Sequence, residues 1–187
     1  MPQSDADTQL MARIASGDRA AMRALFGQHN VRVFRFLVRR LRNEALAEEV
    51  TNEVFLDVWR QAGRYEGRSA LSTWMLAIAH NKAVSLLRKR SEETLDEEAA
   101  ERLPDSGDDP EQHAQKRSKA AAMRQMLEKL SDEHREVIDL VYYHEKSVRE
   151  VAEIAGVPEA TVKTRMHYAR KQLGEMLKSA GIDRGWP

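Results

Sequence analysis

The residues of this chain that are best suited to chemistry lie in one short loop, residues 63–69, which reads GRYEGRS. Arg64, Tyr65 and Arg68 are interspersed there with two glycines. Arginine binds phosphate, an aromatic ring stacks on a base, and glycine gives the backbone freedom to approach a ligand closely. The loop therefore predicts contact with unpaired nucleic acid, in which every base exposes a π-face.

Two amphipathic helices are predicted to hold this loop. The first runs from Glu44 to about Ala62, because apolar residues recur at three- and four-residue spacing: Val50, Val54, Phe55, Val58 and Ala62. The second runs from Leu71 to Arg90, with an apolar stripe of Leu71, Trp74, Ile78 and Leu86. The polar residues off this stripe are expected to face phosphates and bases: Asn81, Lys82, Arg88, Lys89 and Arg90. A helical hairpin of this kind is, by itself, more typical of an ordinary core, and only the order of its residues favours a binding role.

The outer face of the first helix carries three acidic residues at four-residue steps, Glu49, Glu53 and Asp57. Like charges at this spacing destabilise a helix by roughly 0.2–0.5 kcal/mol per pair. A face that disfavours its own helix is easier to understand if a basic partner covers it. The sequence therefore predicts a protein contact on this side of the helix.

The composition limits the function classes that remain. Ala, Leu, Arg and Glu are abundant and aromatic residues make up 6% of the chain, which favours helices over strands. The lack of cysteine excludes disulfides and thiolate metal sites. No apolar run is long enough to span a bilayer and the amino terminus is polar, so we expect a cytoplasmic protein without membrane insertion. Scattered histidines and the lack of catalytic motifs predict no cofactor, no metal and no catalysis.

The formal net charge is zero, but the charge is unevenly distributed. Residues 1–90 carry fifteen Lys and Arg against nine Asp and Glu, residues 91–112 carry one against ten, and residues 113–187 carry fourteen against eleven. Two basic parts thus flank an acidic connector. This asymmetry predicts polyanion binding at two separate surfaces.

The acidic connector marks a domain boundary, because Pro104, Gly107 and Pro110 among clustered acids argue against a packed fold. It serves either as a solubilising tether or as an acidic segment that occupies a positively charged nucleic-acid channel. Before it, helices are also predicted for residues 8–16 and 19–42, the second capped by Asp18. The predicted fold is all-α, with a helical domain, a flexible acidic linker, a second helical domain and a tail: residues 1–90, 91–118, 119–180 and 181–187.

The second domain contains a helix-turn-helix pattern. A helix is predicted for residues 119–130, and Ser131 begins another whose core stripe is Val137, Ile138, Val141 and Tyr142. Ser147 and Glu150 match a reciprocal capping box, so a further helix begins there and ends at Gly156. Pro158 is suited to the first turn of the next helix. The segment from Ser147 to Leu173 is therefore typical of a helix-turn-helix.

The last helix of this motif is the candidate reader of duplex DNA. Four of its apolar residues are expected to face inward: Val162, Met166, Ala169 and Leu173. Such a motif brings the amino-terminal part of this helix against base edges in the major groove. The expected base contacts are Glu159, Thr161, Lys163 and Thr164, and the expected phosphate contacts are Arg165, Arg170 and Lys171. The alternative is an ordinary helical hairpin.

The residues around the loop resemble region 2 of bacterial sigma factors, specifically the extracytoplasmic-function (ECF) group, group IV of the sigma-70 family. The matching runs are Glu48-Glu49-Val50, Glu53-Val54-Phe55, Val58-Trp59-Arg60, Ser72-Thr73-Trp74, Ile78-Ala79, Asn81-Lys82-Ala83 and Arg88-Lys89-Arg90. The resemblance implies that the clamp helices of the RNA polymerase largest subunit contact Glu49, Asn52, Glu53 and Asp57. It assigns to the single-stranded minus-ten element Arg64, Tyr65, Arg68, Trp74, Asn81, Lys82, Arg88 and Lys89.

The run EVAEIAGVPEATVKTRMHYARKQL, residues 150–173, resembles sigma region 4, which reads the minus-thirty-five element and contacts the polymerase flap. Together the two resemblances imply a subunit that joins core RNA polymerase, binds promoter DNA and is held inactive by an anti-sigma factor. Two other interpretations stay open from sequence. One is an autonomous helix-turn-helix repressor, and the other is a sigma-like decoy that only sequesters an anti-sigma factor.

Overall fold

All regular elements are helices in residues 2–94 and 123–180, the two ranges that the computed structural model describes. The all-α prediction is confirmed. The chain forms two compact units. The predicted tail lies outside the described residues, as does the predicted linker from residue 95 onward. None of the helices in the described ranges combines the length and apolar character needed to cross a membrane.

The first unit contains four α-helices: α1 (Pro2–Ala15), α2 (Arg19–Leu41), α3 (Glu44–Gln61) and α4 (Leu71–Thr94). Side-chain caps fix where two of them begin, because a cap satisfies backbone N–H groups that the helix leaves unpaired. Asp18 accepts hydrogen bonds from the amides of Ala20 and Ala21, as predicted, and Asn43 accepts one from Leu46. The helix predicted for residues 8–16 begins earlier, and α4 continues past its predicted end.

The α3 face was predicted correctly, since Val50, Val54, Phe55, Val58 and Ala62 are all buried. The predicted stripe of α4 was only partly right. Leu71 is buried, but Trp74, Ile78 and Leu86 are half-exposed. The apolar residues of α4 with no exposed surface are Met75, Leu76, Ala79 and Ala83. The reason is that α4 packs against both α2 and α3, so it buries a wider face than one stripe. Small alanines there allow close approach of the helices.

In the second unit, α5 covers residues 123–128, followed by α6 (Asp132–Ile138), α7 (Val148–Ala155) and α8 (Glu159–Ser179). The predicted helix starts are confirmed by their caps. Ser131 accepts a hydrogen bond from the amide of His134 at 3.3 Å. Ser147 and Glu150 form the capping box, with the Ser147 amide 2.9 Å from the Glu150 carboxylate and the Glu150 amide 3.3 Å from the Ser147 hydroxyl. The cap sets the direction in which α7 leaves the turn.

Two details of this unit differ from prediction. A π-helical turn, Asp139–Tyr143, follows α6. Its wider turn shifts the helical register, so Asp139 is buried with its carboxylate 3.3 Å from Nε2 of His144. Of the residues predicted to be core, Val141 is only half-buried and Tyr142 is 36% exposed. Pro158 lies at the cap position before α8, not in its first turn.

Glu145, just after the π-helical turn, has a positive φ of 55° and is exposed. A side chain in this left-handed conformation costs about 1 kcal/mol relative to glycine. We therefore expect Glu145→Gly to raise the free energy of unfolding by about 1 kcal/mol, measured by urea denaturation. Glu153→Gly, the same change inside α7, is the control and should lower it by a similar amount. A loss of stability in Glu145→Gly would contradict the left-handed geometry.

Candidate nucleic-acid interface

The loop between α3 and α4 is built around the ring of Tyr65. A single 3₁₀ turn, Ala62–Arg64, leads out of α3. The Tyr65 ring is only 9% exposed, its centroid is 5.5 Å from that of Trp74, and its hydroxyl donates a hydrogen bond to the Ser69 carbonyl at 2.9 Å. Tyr65 therefore braces the loop from inside. Burial raises the pKa of its hydroxyl, and the nearby carboxylate of Asp7 adds to the effect.

The outer surface of the loop is positive and keeps part of an aromatic face. Arg64 and Arg68 are exposed, and Arg68 lies 2.5 Å from Glu66 in a pair with little burial on either side. Such a pair is worth little in water and yields readily to a phosphate. Trp74 is half-exposed beside the loop. Trp74 therefore keeps more exposed aromatic surface than Tyr65, which was predicted to contact single-stranded DNA but supports the loop from inside.

A groove of about 550 Å³ lies between α3 and α4 and unites residues that the sequence assigned to different partners. The α3 wall carries the three acids of the four-residue column, and the α4 wall carries amide and ammonium groups. Val50, Ile78 and Leu86 form apolar parts of the lining. The polar lining residues that argue for a binding role are Glu49, Glu53, Asp57, Asn81, Lys82 and Lys89.

Lys82 connects the two walls of this groove. Its ammonium lies 2.9 Å from the Asp57 carboxylate and 3.2 Å from that of Glu53. Burial alone would lower the pKa of Lys82, but its hydrogen bonds with Asp57 and Glu53 outweigh burial and raise it. Lys82 was expected to be available to phosphates because it lies off the apolar stripe. In the structure it is held by two carboxylates.

The other predicted contacts of this unit are at the surface. Asn52 and Asn81 are exposed, as are Arg88 and Lys89. Arg88 is 3.9 Å from Glu92, with about three quarters of its side chain in solvent. These side chains are exposed, whereas that of Lys82 is about three quarters buried between its two carboxylates.

Helix α8 presents the predicted reading face. Val162, Met166, Ala169 and Leu173 are buried, as predicted. Arg165 is 2.9 Å from Glu133, and the Thr164 hydroxyl donates to the Ala160 carbonyl at 3.0 Å, so both are partly committed within the unit. The remaining predicted residues are exposed or half-exposed: Glu159, Thr161, Lys163, Arg170 and Lys171.

A second groove, of about 430 Å³, lies beside α8 and contains two residues that are not among the predicted DNA contacts. Lys146 and His167 line it together with Lys163 and Arg170. Arg170 also donates a hydrogen bond to the Tyr142 hydroxyl at 3.1 Å. Lys146 precedes the capping box and points inward, so no helical spacing connected it to α8. Lys146 is buried and pairs with Glu150 at 3.3 Å, so the exposed cations in this lining are those of Lys163 and Arg170.

Tyr65→Phe should lower the free energy of unfolding of the first unit by about 0.5–1.5 kcal/mol, because the Ser69 carbonyl loses its donor. A raised pKa means that the unfolded chain ionises first, so wild-type stability falls as pH rises above 10.0. The variant should show less of this fall. Chemical denaturation followed by tryptophan fluorescence measures both effects. Tyr168→Phe, which removes an exposed hydroxyl from α8, is the control; equal effects of the two changes would contradict the bracing role.

Comparison with known proteins gives two family matches in chain order. Residues 25–93 match Sigma-70 region 2, and residues 120–173 match Sigma-70, region 4. The ECF RNA polymerase sigma factor SigK of Mycolicibacterium vanbaalenii is 33% identical over 177 residues, which cover 90% of this chain and 87% of SigK. The ECF RNA polymerase sigma factor SigL of Mycobacterium tuberculosis is 32% identical over 183 residues, which cover 93% of this chain and 100% of SigL.

Solved structures agree with these relatives. The sigma factor RpoE of Bartonella quintana, solved in complex with the anti-sigma factor NepR, aligns with a TM-score of 0.72 and 25% identity over 87% of this chain and 98% of RpoE. CnrH, solved with the cytosolic domain of CnrY, aligns with a TM-score of 0.68 and 24% identity over 93% of this chain and 98% of CnrH. This likeness supports the all-α fold. With both regions matched in order and relatives matched over nearly their whole length, the chain belongs to the ECF family of RNA polymerase sigma factors.

Proposed function

We propose that the two units of this sigma factor divide promoter recognition between them. The first unit binds core RNA polymerase through α3 and holds melted DNA with the 63–69 loop and α4. The second unit places α8 in the major groove of duplex DNA upstream. The observation that carries the proposal is the α3–α4 groove, in which an acidic wall and a basic wall lie side by side.

Polymerase binding by α3 is supported by its charge pattern. Glu49 and Glu53 are exposed, and Asp57 is half-buried one turn further along the same face. Lys82 offsets the repulsion only at Glu53 and Asp57. A basic surface of the polymerase clamp that covered the column would relieve the remaining repulsion and complete its neutralisation. Exposed Asn52 adds an amide to this contact surface.

Binding of the melted strand is supported by the surface that the loop and α4 share. Arg64, Arg68 and Arg88 supply exposed guanidinium groups, Asn81 supplies an amide, and Trp74 supplies a half-exposed ring. Base stacking on an aromatic side chain is worth roughly 1–3 kcal/mol, enough to offset much of the cost of unstacking one base. The surface therefore suits a strand whose bases are already leaving the duplex.

Upstream recognition is supported by the exposed residues of α8. Its first turns carry Glu159, Thr161, Lys163 and Thr164, the part of a recognition helix that reaches base edges. Arg165, Arg170 and Lys171 follow on later turns, where phosphates pass. Arg165 must exchange Glu133 for a phosphate, which an exposed carboxylate allows at small cost.

The proposal also covers catalysis, the cellular location of the chain and its control by an inhibitor. The chain supplies no catalysis, and RNA synthesis belongs to the polymerase. It acts in the cytoplasm, where bacterial transcription takes place. An anti-sigma factor holds it inactive, which is supported by the similar fold of RpoE, solved with such an inhibitor. The predicted linker, residues 91–118, stays either a tether or an acidic segment in a nucleic-acid channel.

Run-off transcription tests this function. Core RNA polymerase plus the chain should initiate at specific sites in fragments of the source genome, and neither component alone should do so. Lys163→Ala should weaken binding at the upstream element by about 1–3 kcal/mol if Lys163 contacts a base. The control is Lys178→Ala, an exposed lysine near the end of α8. No new start site with the wild-type chain would indicate a repressor or a decoy, and equal losses from Lys163→Ala on all sequences would mark a phosphate contact.

A further inference from the structure

The acidic and basic walls of the α3–α4 groove are joined by one residue. Lys82 belongs to α4, the helix proposed to bind single-stranded DNA, yet its two ion-pair partners belong to α3, the helix proposed to bind polymerase. The side chains of Lys82 and Asp57 are about three quarters buried, with 24% and 25% of their surfaces exposed, while Glu53 is 53% exposed. The contact is therefore well formed but open to solvent on one side.

This geometry sets up a competition. A phosphate that binds Lys82 must displace two carboxylates, each within about 3 Å of the ammonium. A cation that binds Glu53 and Asp57 from outside would instead weaken their hold on Lys82. Opposite charges therefore make the two sites of this groove interdependent: occupation of the acidic wall by a basic partner favours occupation of the basic wall by a phosphate.

We propose that this ion-pair cluster is an autoinhibitory contact that keeps Lys82 from nucleic acid until a basic surface of the polymerase engages Glu53 and Asp57. The proposal deepens the function assigned above and rests on α4 as the DNA-binding helix. It accounts for the opposing charges on the two walls of the groove. The free chain would bind melted DNA weakly, and the polymerase-bound chain would bind it with one more cation.

Other charged groups face the same cluster and must be separated from Lys82 in any test. Arg60 lies 3.9 Å from Asp57, so a change at Asp57 also affects Arg60. Glu49 and Lys89 line the same groove. Glu49 offers a matched control, because Glu49→Gln removes one negative charge from the same helix face while leaving the ion pairs of Lys82 intact.

A double-mutant cycle on the free, full-length chain tests the proposal. The variants are Asp57→Asn, Lys82→Met, their combination, and the parallel set with Glu49→Gln in place of Asp57→Asn. The measurement is the fluorescence anisotropy of a labelled single-stranded oligothymidylate over a range of salt concentrations. Thermal unfolding of each variant checks the fold, and Glu53→Gln provides a second way to loosen Lys82 if Asp57→Asn is poorly folded.

The expected result is a gain of roughly two- to five-fold in affinity for Asp57→Asn, the range that one exposed ion pair supports. The salt dependence should steepen by about 0.7 in log–log slope, because Lys82 contributes one more phosphate contact. Both gains should vanish in the Lys82→Met background. The smaller effect of Glu49→Gln should persist there, because it acts through the general field.

The proposal is overturned if Asp57→Asn and Glu49→Gln raise affinity equally, or if the gain survives in Lys82→Met. Run-off transcription distinguishes failure of this proposal from failure of the proposed sigma function. If the wild-type chain supports run-off transcription and the cycle shows no coupling, the autoinhibitory contact is wrong and the sigma activity stands. If run-off itself fails, the assignment of α4 to promoter DNA is what fails.

Discussion

The packing of α4 against α3 is the constraint on which the rest of the first unit depends. Apolar burial fixes the two helices together, and that packing brings Glu53 and Asp57 of α3 against Lys82 of α4. The same packing holds the short loop between the helices, where Tyr65 is buried against Trp74. A single helix pair thus creates a negative surface, a positive surface and an aromatic loop within a few turns of one another.

Zero net charge and polyanion binding are compatible because the charges are segregated. In the first unit five of the acids lie along α3, whereas the arginines lie mainly on α2, in the loop and at the end of α4. In the second unit buried apolar residues hold α8 so that its cationic residues face outward. A factor that must engage two separated DNA elements and one large enzyme suits this arrangement.

Sequence patterns predicted the elements that obey local rules. Asp18, Ser131 and the Ser147–Glu150 box were recognisable because caps depend on neighbouring residues. The α3 and α8 core faces were recognisable because each buries one stripe. The α4 face and Tyr142 were misjudged for tertiary reasons: α4 contacts two helices, and a π-helical turn changes the register before Tyr142. Periodicity assumes one buried face and a constant 3.6 residues per turn.

For the candidate sites too, features that depend on local spacing could be predicted, and features that depend on tertiary packing could not. Exposed residues of α8 and the loop arginines could be listed from spacing, because exposure follows from the helical face. The pairing of Lys82 with Glu53 and Asp57 joins residues more than twenty positions apart. No local pattern reveals it, and the family resemblance assigns these residues to different partners. The burial of the Tyr65 ring is likewise hidden from local patterns, because its packing partner Trp74 lies on the other side of the loop.

The most direct measurement is the nitrogen-15 NMR spectrum of lysine ammonium groups in the free, full-length chain. An ammonium held by two carboxylates exchanges its protons slowly, so Lys82 should give a resolved Nζ signal that disappears in Asp57→Asn. Exposed Lys163 and Lys171 serve as internal references and should give none under the same conditions. A Lys82 signal that is absent in the wild-type chain, or unchanged in Asp57→Asn, would contradict the joined walls of the groove.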